Sequence, residues 1–253
     1  MTRPLFSCVV PVKGKRPYFD AAIESLRNQG MGEDLEIIVQ DADIEPDAGQ
    51  SDALNRGFAK ANGRWFFWLN ADDVLLPGAL QEVAAKILFG STSSWITGNM
   101  VYIDANGKVT KCAKERGTKR SYEGFPVRVY GPSSFFRREL FAEVGGFDTS
   151  LKYSMDTDLW CKFRQAGYWF EKLDRYLWGF RIHDDSLTSG DLIGKTPEGM
   201  KVEGRLIDER YGLSRSAAKV RRLQLTRILD GSYPKAFFDT LKYRGKNWKE
   251  VMR

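Results

Sequence analysis

Three short apolar runs, Phe-Ser-Cys-Val-Val-Pro-Val at 6–12, Leu-Glu-Ile-Ile-Val at 35–39 and Trp-Phe-Phe-Trp-Leu at 65–69, alternate with segments of helical spacing. Runs this apolar read as buried strands, and strands alternating with helices imply a parallel sheet covered on both faces. The first run is ended by Pro11 and Gly14, and residues 18–29 follow with Ala22, Ile23 and Leu26 on one helical face and Gly30 as a stop. The second ends at Gln40-Asp41. After an acidic loop, residues 50–61 place Ala53, Leu54, Gly57, Phe58 and Ala61 on one face, closed by Asn62-Gly63. The third run ends at Asn70-Ala71-Asp72-Asp73, and Pro77 then opens a helix to about Leu88.

Beyond residue 94 the pattern changes. Residues 95–102 and 108–112 flank Asp104-Ala105-Asn106-Gly107 and read as a hairpin. Residues 114–128 are polar and read as a surface loop. A short strand at 134–136, a short helix at 137–144 and a turn at Gly145-Gly146-Phe147-Asp148 come next. Residues 156–165 carry Leu159, Trp160 and Phe163 at helical spacing, 176–182 resume a strand, and 184–199 are loop-like. There is no internal repeat.

The 253 residues, 42% hydrophobic and 28% charged, have ordinary globular composition. No apolar run approaches the roughly 18–20 residues that cross a bilayer. The start of the chain lacks a signal-peptide core, so a cytoplasmic location is expected. Cys8, Cys112 and Cys161 are odd in number and form no CxxC or Cys/His cluster, which argues against a disulfide framework or a structural zinc. The net charge of +6 is uneven. Residues 215–253 hold eleven Lys/Arg against Asp230, Asp239 and Glu250, a net +8, leaving the rest of the chain at −2.

In parallel sheets ligands sit beyond the carboxyl ends of the strands. That rule puts 11–15, Asp41 and Asp72-Asp73 on one rim. None of these loops has GxGxxG or GxxxxGK[ST], which excludes the usual dinucleotide and Walker phosphate sites. Two adjacent carboxylates at a buried strand end need a cation or a set of donors. A divalent ion with a phosphate completing its shell would supply that compensation. The plainer reading is that Asp72 caps the following helix while Asp73 faces solvent.

Eight ordered motifs add a resemblance: Ser7-Cys8-Val9-Val10-Pro11-Val12; Glu36-Ile37-Ile38-Val39-Gln40-Asp41; Gly49-Gln50-Ser51-Asp52-Ala53-Leu54-Asn55-Arg56-Gly57; Ala61-Asn62-Gly63; Leu69-Asn70-Ala71-Asp72-Asp73; Gly145-Gly146-Phe147-Asp148; Asp156-Thr157-Asp158-Leu159-Trp160; and Arg181-Ile182-His183. Over residues 4–189 the sequence resembles the family 2 glycosyltransferases of the GT-A fold, in particular a WcaA-like bacterial group. The implied fold class is α/β: a GT-A type mixed, mainly parallel sheet flanked by helices, with a basic helical C-terminal extension. The implied catalytic domain is 1–189, with a nucleotide-sugar half at about 1–100 and an acceptor half at about 101–189. Residues 190–253 form a loop and the extension.

Carried over by residue, the resemblance implies that Pro11 and Val12 lie beside the nucleotide and that Asp41 accepts a hydrogen bond from the base. Asp52 and Asn55, one helical turn apart, would lie near the nucleotide; an exposed helix carboxylate is the alternative for Asp52. Asp72 would face the ribose or donor sugar, and Asp73 would bind Mn²⁺ or Mg²⁺ bridging the diphosphate. His183, the single histidine, would join the metal or diphosphate, with Arg181 sharing its side of a strand. Asp156 aligns with the general base, whereas Met155 stands where the family has Glu. Asp158 diverges from Asp156 by about 200° around a helix, so it is expected to cap or to support from behind. Residues 184–199, with Ser186, Thr188 and Ser189, suit a lid.

The implied activity is inverting, metal-dependent transfer of a single sugar from a nucleotide-diphosphate sugar, a UDP-sugar first, to a glycan or lipid-linked hydroxyl. The alternative is a catalytically silent binding module on the same fold, which Met155 favours. Two departures stand out: Gln40-Asp41-Ala42-Asp43 lets Asp43 replace Asp41, and no Gln-x-x-Arg-Trp motif of processive synthases is present. The tail mixes apolar and basic residues. It could lie in a membrane interface at the inner face of the cell membrane, pack on its own domain or form a homodimer contact. Nucleic acid is not an expected partner, because no stacking platform or reading motif accompanies the charge.

Overall fold

A computed structural model describes residues 3–115, 119, 122–127, 129–183 and 196–251, with the Arg227 side chain left out. β1 (Phe6–Val12) is buried along nearly its whole length, as its sequence predicts. It lies between β2 (Leu35–Asp41) and β3 (Trp65–Trp68), parallel to both. β2 is the edge strand, so its residues are half-buried and Val39 is exposed; the expectation of full burial fails there because only one neighbour covers it.

β4 (Val74–Leu75), β5 (Trp95–Ile103), β6 (Val109–Ala113), β7 (Ser134–Arg137) and β8 (Glu171–Arg181) complete one sheet, ordered β2-β1-β3-β7-β5-β8-β4 with β6 on β5. β5 and β8 are parallel, whereas β7 enters antiparallel between β3 and β5, and β4 and β6 pair antiparallel with β8 and β5. The fold is therefore a mixed α/β sheet flanked by helices.

The helices are α1 (Phe19–Arg27), α2 (Gln50–Lys60), α3 (Ala79–Phe89), α4 (Arg138–Glu143), α5 (Met155–Gln165), α6 (Glu198–Arg210), α7 (Ala217–Leu229) and α8 (Ser232–Tyr243). Pro77 falls outside α3, because Gly78 takes a left-handed turn (φ 78°) before the helix begins. Alternation along the strands divides the core. Val9, Phe66 and Trp68 face one cluster under α2 and α5, while Cys8, Val10 and Phe67 face another under α1 and α3. α2 lies directly on β1: a Cβ at Gly57 would sit 2.4 Å from Val9 Cγ1. α5 is locked by Trp160, stacked between Trp68 and Trp95 with ring centroids 6.0 and 4.8 Å away.

Within 114–128 the described residues correct the surface-loop expectation, for Tyr122, Phe125 and Val127 are buried in the core. The extension also joins the body. Ile207 and Leu223 enter the cluster under α5, and Trp248 and Val251 pack with Val74. The three cysteines are free and buried.

Candidate functional site

The parallel register sets Val12 opposite Asp41, so β1 and β2 end on the same rim. The loop after β1 supplies Arg16, which grips both candidate base-reading carboxylates. Its guanidinium lies 2.7 and 2.8 Å from the Asp41 oxygens and 2.9 Å from Asp43 Oδ2. Asp43 also accepts the Gly14 N–H at 3.0 Å, and Arg16 holds its pKa below the usual carboxylate value. One cation thus holds both carboxylates. Pro11 is partly exposed at the strand end, whereas Val12 is buried and its carbonyl accepts the Ala42 N–H at 2.9 Å.

β3 delivers the second part. After Trp68 the chain turns, with the Asp73 N–H donating to the Asn70 carbonyl at 3.1 Å. This turn sends the two aspartates apart. Asp73 goes inward and is fully buried, where its oxygens accept the Arg181 backbone N–H at 2.9 Å and the Asn70 side-chain amide at 2.8 Å. Gln50, at the start of α2, donates to Asn70 at 2.8 Å and extends the network. Burial, reinforced by neighbouring Asp72, pushes the Asp73 carboxyl pKa well upward. Its place does not fit the expected role of metal ligand, because it is shielded and its oxygens are used within the protein.

Asp72 points outward, and its Oδ2 lies 3.0 Å from His183 Nε2, with the two side chains 31% and 13% exposed. The outward pair that could hold a divalent ion is therefore Asp72 with His183, not Asp73 with His183. A carboxylate oxygen and an imidazole nitrogen fit such an ion chemically, with further positions left for phosphate oxygens. Among the described residues no group of three His, Cys, Asp or Glu could form a fuller cage.

Of the two roles open to Arg181, diphosphate contact or support from behind the site, its burial and its bonds fit the second. Its Nε donates to the Asp72 carbonyl at 2.8 Å and its Nη1 to the Asp104 carbonyl at 3.0 Å. Its guanidinium stacks 4.4 Å over the Tyr18 ring, whose centroid is 5.1 Å from that of His183. Arg181 and Tyr18 thus set the backbone of Asp72 and the plane of His183.

Two residues expected near the nucleotide are bonded within the protein. Asn55 donates to the Phe147 carbonyl at 2.9 Å and accepts its N–H at 3.0 Å, so both ends of its amide tie α2 to the Gly-Gly turn. Asp52 accepts the Ala48 N–H at 3.0 Å and pairs with Arg56 at 2.9 Å, and these bonds lower its pKa.

Asp156 lies in the first turn of α5, partly exposed, and its Oδ1 accepts the Thr157 N–H at 2.6 Å. Contacts carry this turn toward the rim. Ser51, next to Gln50, donates to the Leu151 carbonyl at 2.8 Å and lies 3.1 Å from the Met155 sulfur. Met155 is buried, so the departure from Glu serves packing. Asp158 is fully buried, 2.7 Å from Arg210 and 2.9 Å from the Tyr211 hydroxyl, and anchors the extension. Glu203 of α6 accepts the backbone N–H groups of Lys152, Tyr153 and Ser154, each at 2.8 Å, just ahead of Asp156. The expected lid falls mainly on 184–195, outside the described residues.

Sequence reasoning missed Arg16, Tyr18, Asn70 and Glu203. The run Lys13-Gly14-Lys15-Arg16 beside an acidic rim was a usable signal for the first. No local signal marks Glu203.

Known proteins resemble this chain in sequence and in fold. Residues 42–145 match the family model described as Glycosyl transferase family 2. An uncharacterized glycosyltransferase of Rickettsia prowazekii is 27% identical over 195 residues, covering 66% of this chain and 61% of that protein. For a relative from Rickettsia bellii, also 27% identical and covering 67% of this chain, the share of that protein is 29%. A PGL/p-HBAD biosynthesis glycosyltransferase of Mycobacterium bovis is 25% identical, covering 62% of this chain and 69% of its own. The chain thus spans less than two-thirds of the Rickettsia relatives' length. Among solved structures, S. aureus TarS 1-349 in complex with UDP-GlcNAc superposes with TM-score 0.58 at 17% identity, over 92% of this chain and 74% of that one. The mannosyltransferase PcManGT from Pyrobaculum calidifontis, in complex with GDP-Man and Mn²⁺, gives 0.56 at 16%, over 95% and 80%. Residues 42–145 thus resemble glycosyl transferase family 2, and the whole chain shares the GT-A fold of these structural neighbours.

Proposed function

We propose that the chain moves a single sugar from a nucleotide-diphosphate sugar, a UDP-sugar first, to a hydroxyl of a glycan or lipid-linked acceptor, with inversion at the anomeric carbon. One observation carries the reading most. Asp72 and His183, 111 positions apart, meet at 3.0 Å with both groups partly exposed. The names of the relatives, and the nucleotide sugars bound by the structural neighbours, support the same class.

In this reading Asp41, fixed by Arg16, accepts from the base, and Pro11 lies alongside the nucleotide. Asp72 and His183 hold Mn²⁺ or Mg²⁺, which when bound supplies Lewis-acid stabilisation of the diphosphate's growing charge. Asp156 takes the acceptor's proton as the hydroxyl oxygen bonds to the anomeric carbon and that carbon's bond to the diphosphate oxygen breaks. A single displacement of this kind inverts the configuration. Glu203 positions the turn that carries Asp156 by fixing three backbone N–H groups ahead of it.

The direct test is thermal unfolding with a panel of nucleotide sugars, with and without Mn²⁺. A ligand that binds only the folded state raises apparent stability by RT ln(1 + [L]/Kd). The matching donor should stand out and its gain should need the ion; no stabilisation by any nucleotide sugar would sink the reading. His183→Ala should weaken Mn²⁺ binding at least ~10-fold, followed by Mn²⁺ titration with electron spin resonance, because one of two protein ligands is lost. An unchanged titration would place the ion elsewhere. Arg16→Ala frees Asp41 and Asp43 from a shared cation, and should raise the donor KM about 10-fold with kcat nearly unchanged. An equal fall in kcat would instead put Arg16 in the transferring step.

A further inference from the structure

We propose that the outer face of α7 and α8 seats on the surface of an anionic lipid bilayer. The reason begins with which side of α8 faces the protein. Its polar side turns inward: Asp239 Oδ2 accepts from the Tyr176 hydroxyl at 2.7 Å, and Thr240 Oγ1 accepts the Cys112 N–H at 2.9 Å. Ala236, on the same side, is buried. These contacts fix the helix on β6 and leave its apolar side in solvent. Phe237 and Leu241, one helical turn apart, are each more than half exposed, and neighbouring Phe238 is 66% exposed.

α7 adds further exposed apolar groups to this face although it also buries one. Leu223 is buried, and Lys219 donates to the Gly124 carbonyl at 2.9 Å, while Ile228 and Leu229 stand out, the latter 85% exposed. Ile228, Pro234, Phe237 and Phe238 line one shallow apolar depression between the helices. A soluble surface rarely leaves so many large apolar groups together unless they meet something.

Charge decides what they meet. Residues 215–253 carry a net +8, and their three acids are engaged locally. Asp239 faces Tyr176, Asp230 accepts the Ser232 N–H at 2.9 Å, and Glu250 accepts the Asn247 N–H at 2.9 Å. Arg221, Lys235, Lys242 and Arg244 are exposed around the apolar groups. A second copy joined by a twofold axis would set this positive face against itself. An anionic bilayer offers apolar depth for the rings and negative headgroups for the cations. No helix among the described residues is long and apolar enough to cross a membrane, so the contact is a surface one.

The test is flotation of the full chain with vesicles of phosphatidylcholine alone or mixed with phosphatidylglycerol. The wild type should float with the mixed vesicles and much less with neutral ones, and added salt should weaken it. Phe237→Ser/Phe238→Ser and Lys235→Glu/Lys242→Glu change exposed groups and should each cut the bound fraction at least ~10-fold, with the melting temperature unchanged. The proposal is overturned if the wild type fails to float with the mixed vesicles, or if both variants float as it does. It is overturned equally if the chain sediments as a dimer that the Phe237/Phe238 pair of changes splits while flotation is absent, which would give the face to a second copy.

Discussion

Asp156→Asn is expected to lower the transfer rate by ~10²–10⁴-fold while leaving donor and Mn²⁺ binding unchanged. Asparagine keeps the size and the oxygen that accepts the Thr157 N–H, so the first turn of α5 should stand. What disappears is the ability to take a proton from the attacking hydroxyl. Trp160 lies between Trp68 and Trp95 and holds the helix in place whether or not residue 156 is charged. Structural damage and chemical loss are therefore separable by melting temperature. Single-turnover transfer, measured beside a nucleotide-binding titration, reads both sides of the prediction. Transfer within a few fold of wild type would remove Asp156 from the base role.

The parts of the molecule readable in sequence are those where local pattern and tertiary environment agree. β1 and β3 are apolar along their length because both sheet faces are covered, and the rim follows from strand direction alone. β2 was legible as a strand but not as an edge, since strand order is set by partners distant in sequence. The opposite orientations of Asp72 and Asp73 were not legible either. They depend on a turn closed at Asn70 and on the Arg181 N–H, 108 positions away, reaching the inward carboxyl. For Asn55 the sequence does not reveal its partner within the fold, the Phe147 backbone, which lies 92 positions on. Residues 114–128 looked polar by composition, yet Tyr122, Phe125 and Val127 are the ones that pack. Glu203 sits among other charged residues of an ordinary helix, and only the fold brings three backbone donors to it.

Asp158→Ala is expected to cost about 3 kcal/mol of stability, because it removes the partner of a buried, hydrogen-bonded ion pair. The carboxylate is fully buried, with Arg210 at 2.7 Å, Lys162 at 3.2 Å and the Tyr211 hydroxyl at 2.9 Å. Arg210 is 41% exposed and keeps Asp148 at 2.8 Å, which places the effect at the lower end of the range for such pairs. For a chain of this size the melting temperature should fall by roughly 10 °C. Asp158→Asn, which keeps an acceptor for Tyr211, should cost less. The same node gives a pH dependence. Ser150 and Arg210 hold the Asp148 pKa down to about 2, so its stabilisation is complete above about pH 4 and is lost as pH falls toward 2. Arg210→Ala should shrink that acid limb only in part, because the Ser150 bonds to Asp148 remain. Because α6 carries both Arg210 and Glu203, loosening it should also release the 152–154 backbone and reduce transfer, though less than Asp156→Asn does. A variant that melted near wild type with unaltered transfer would mean that the extension is not needed to set the base.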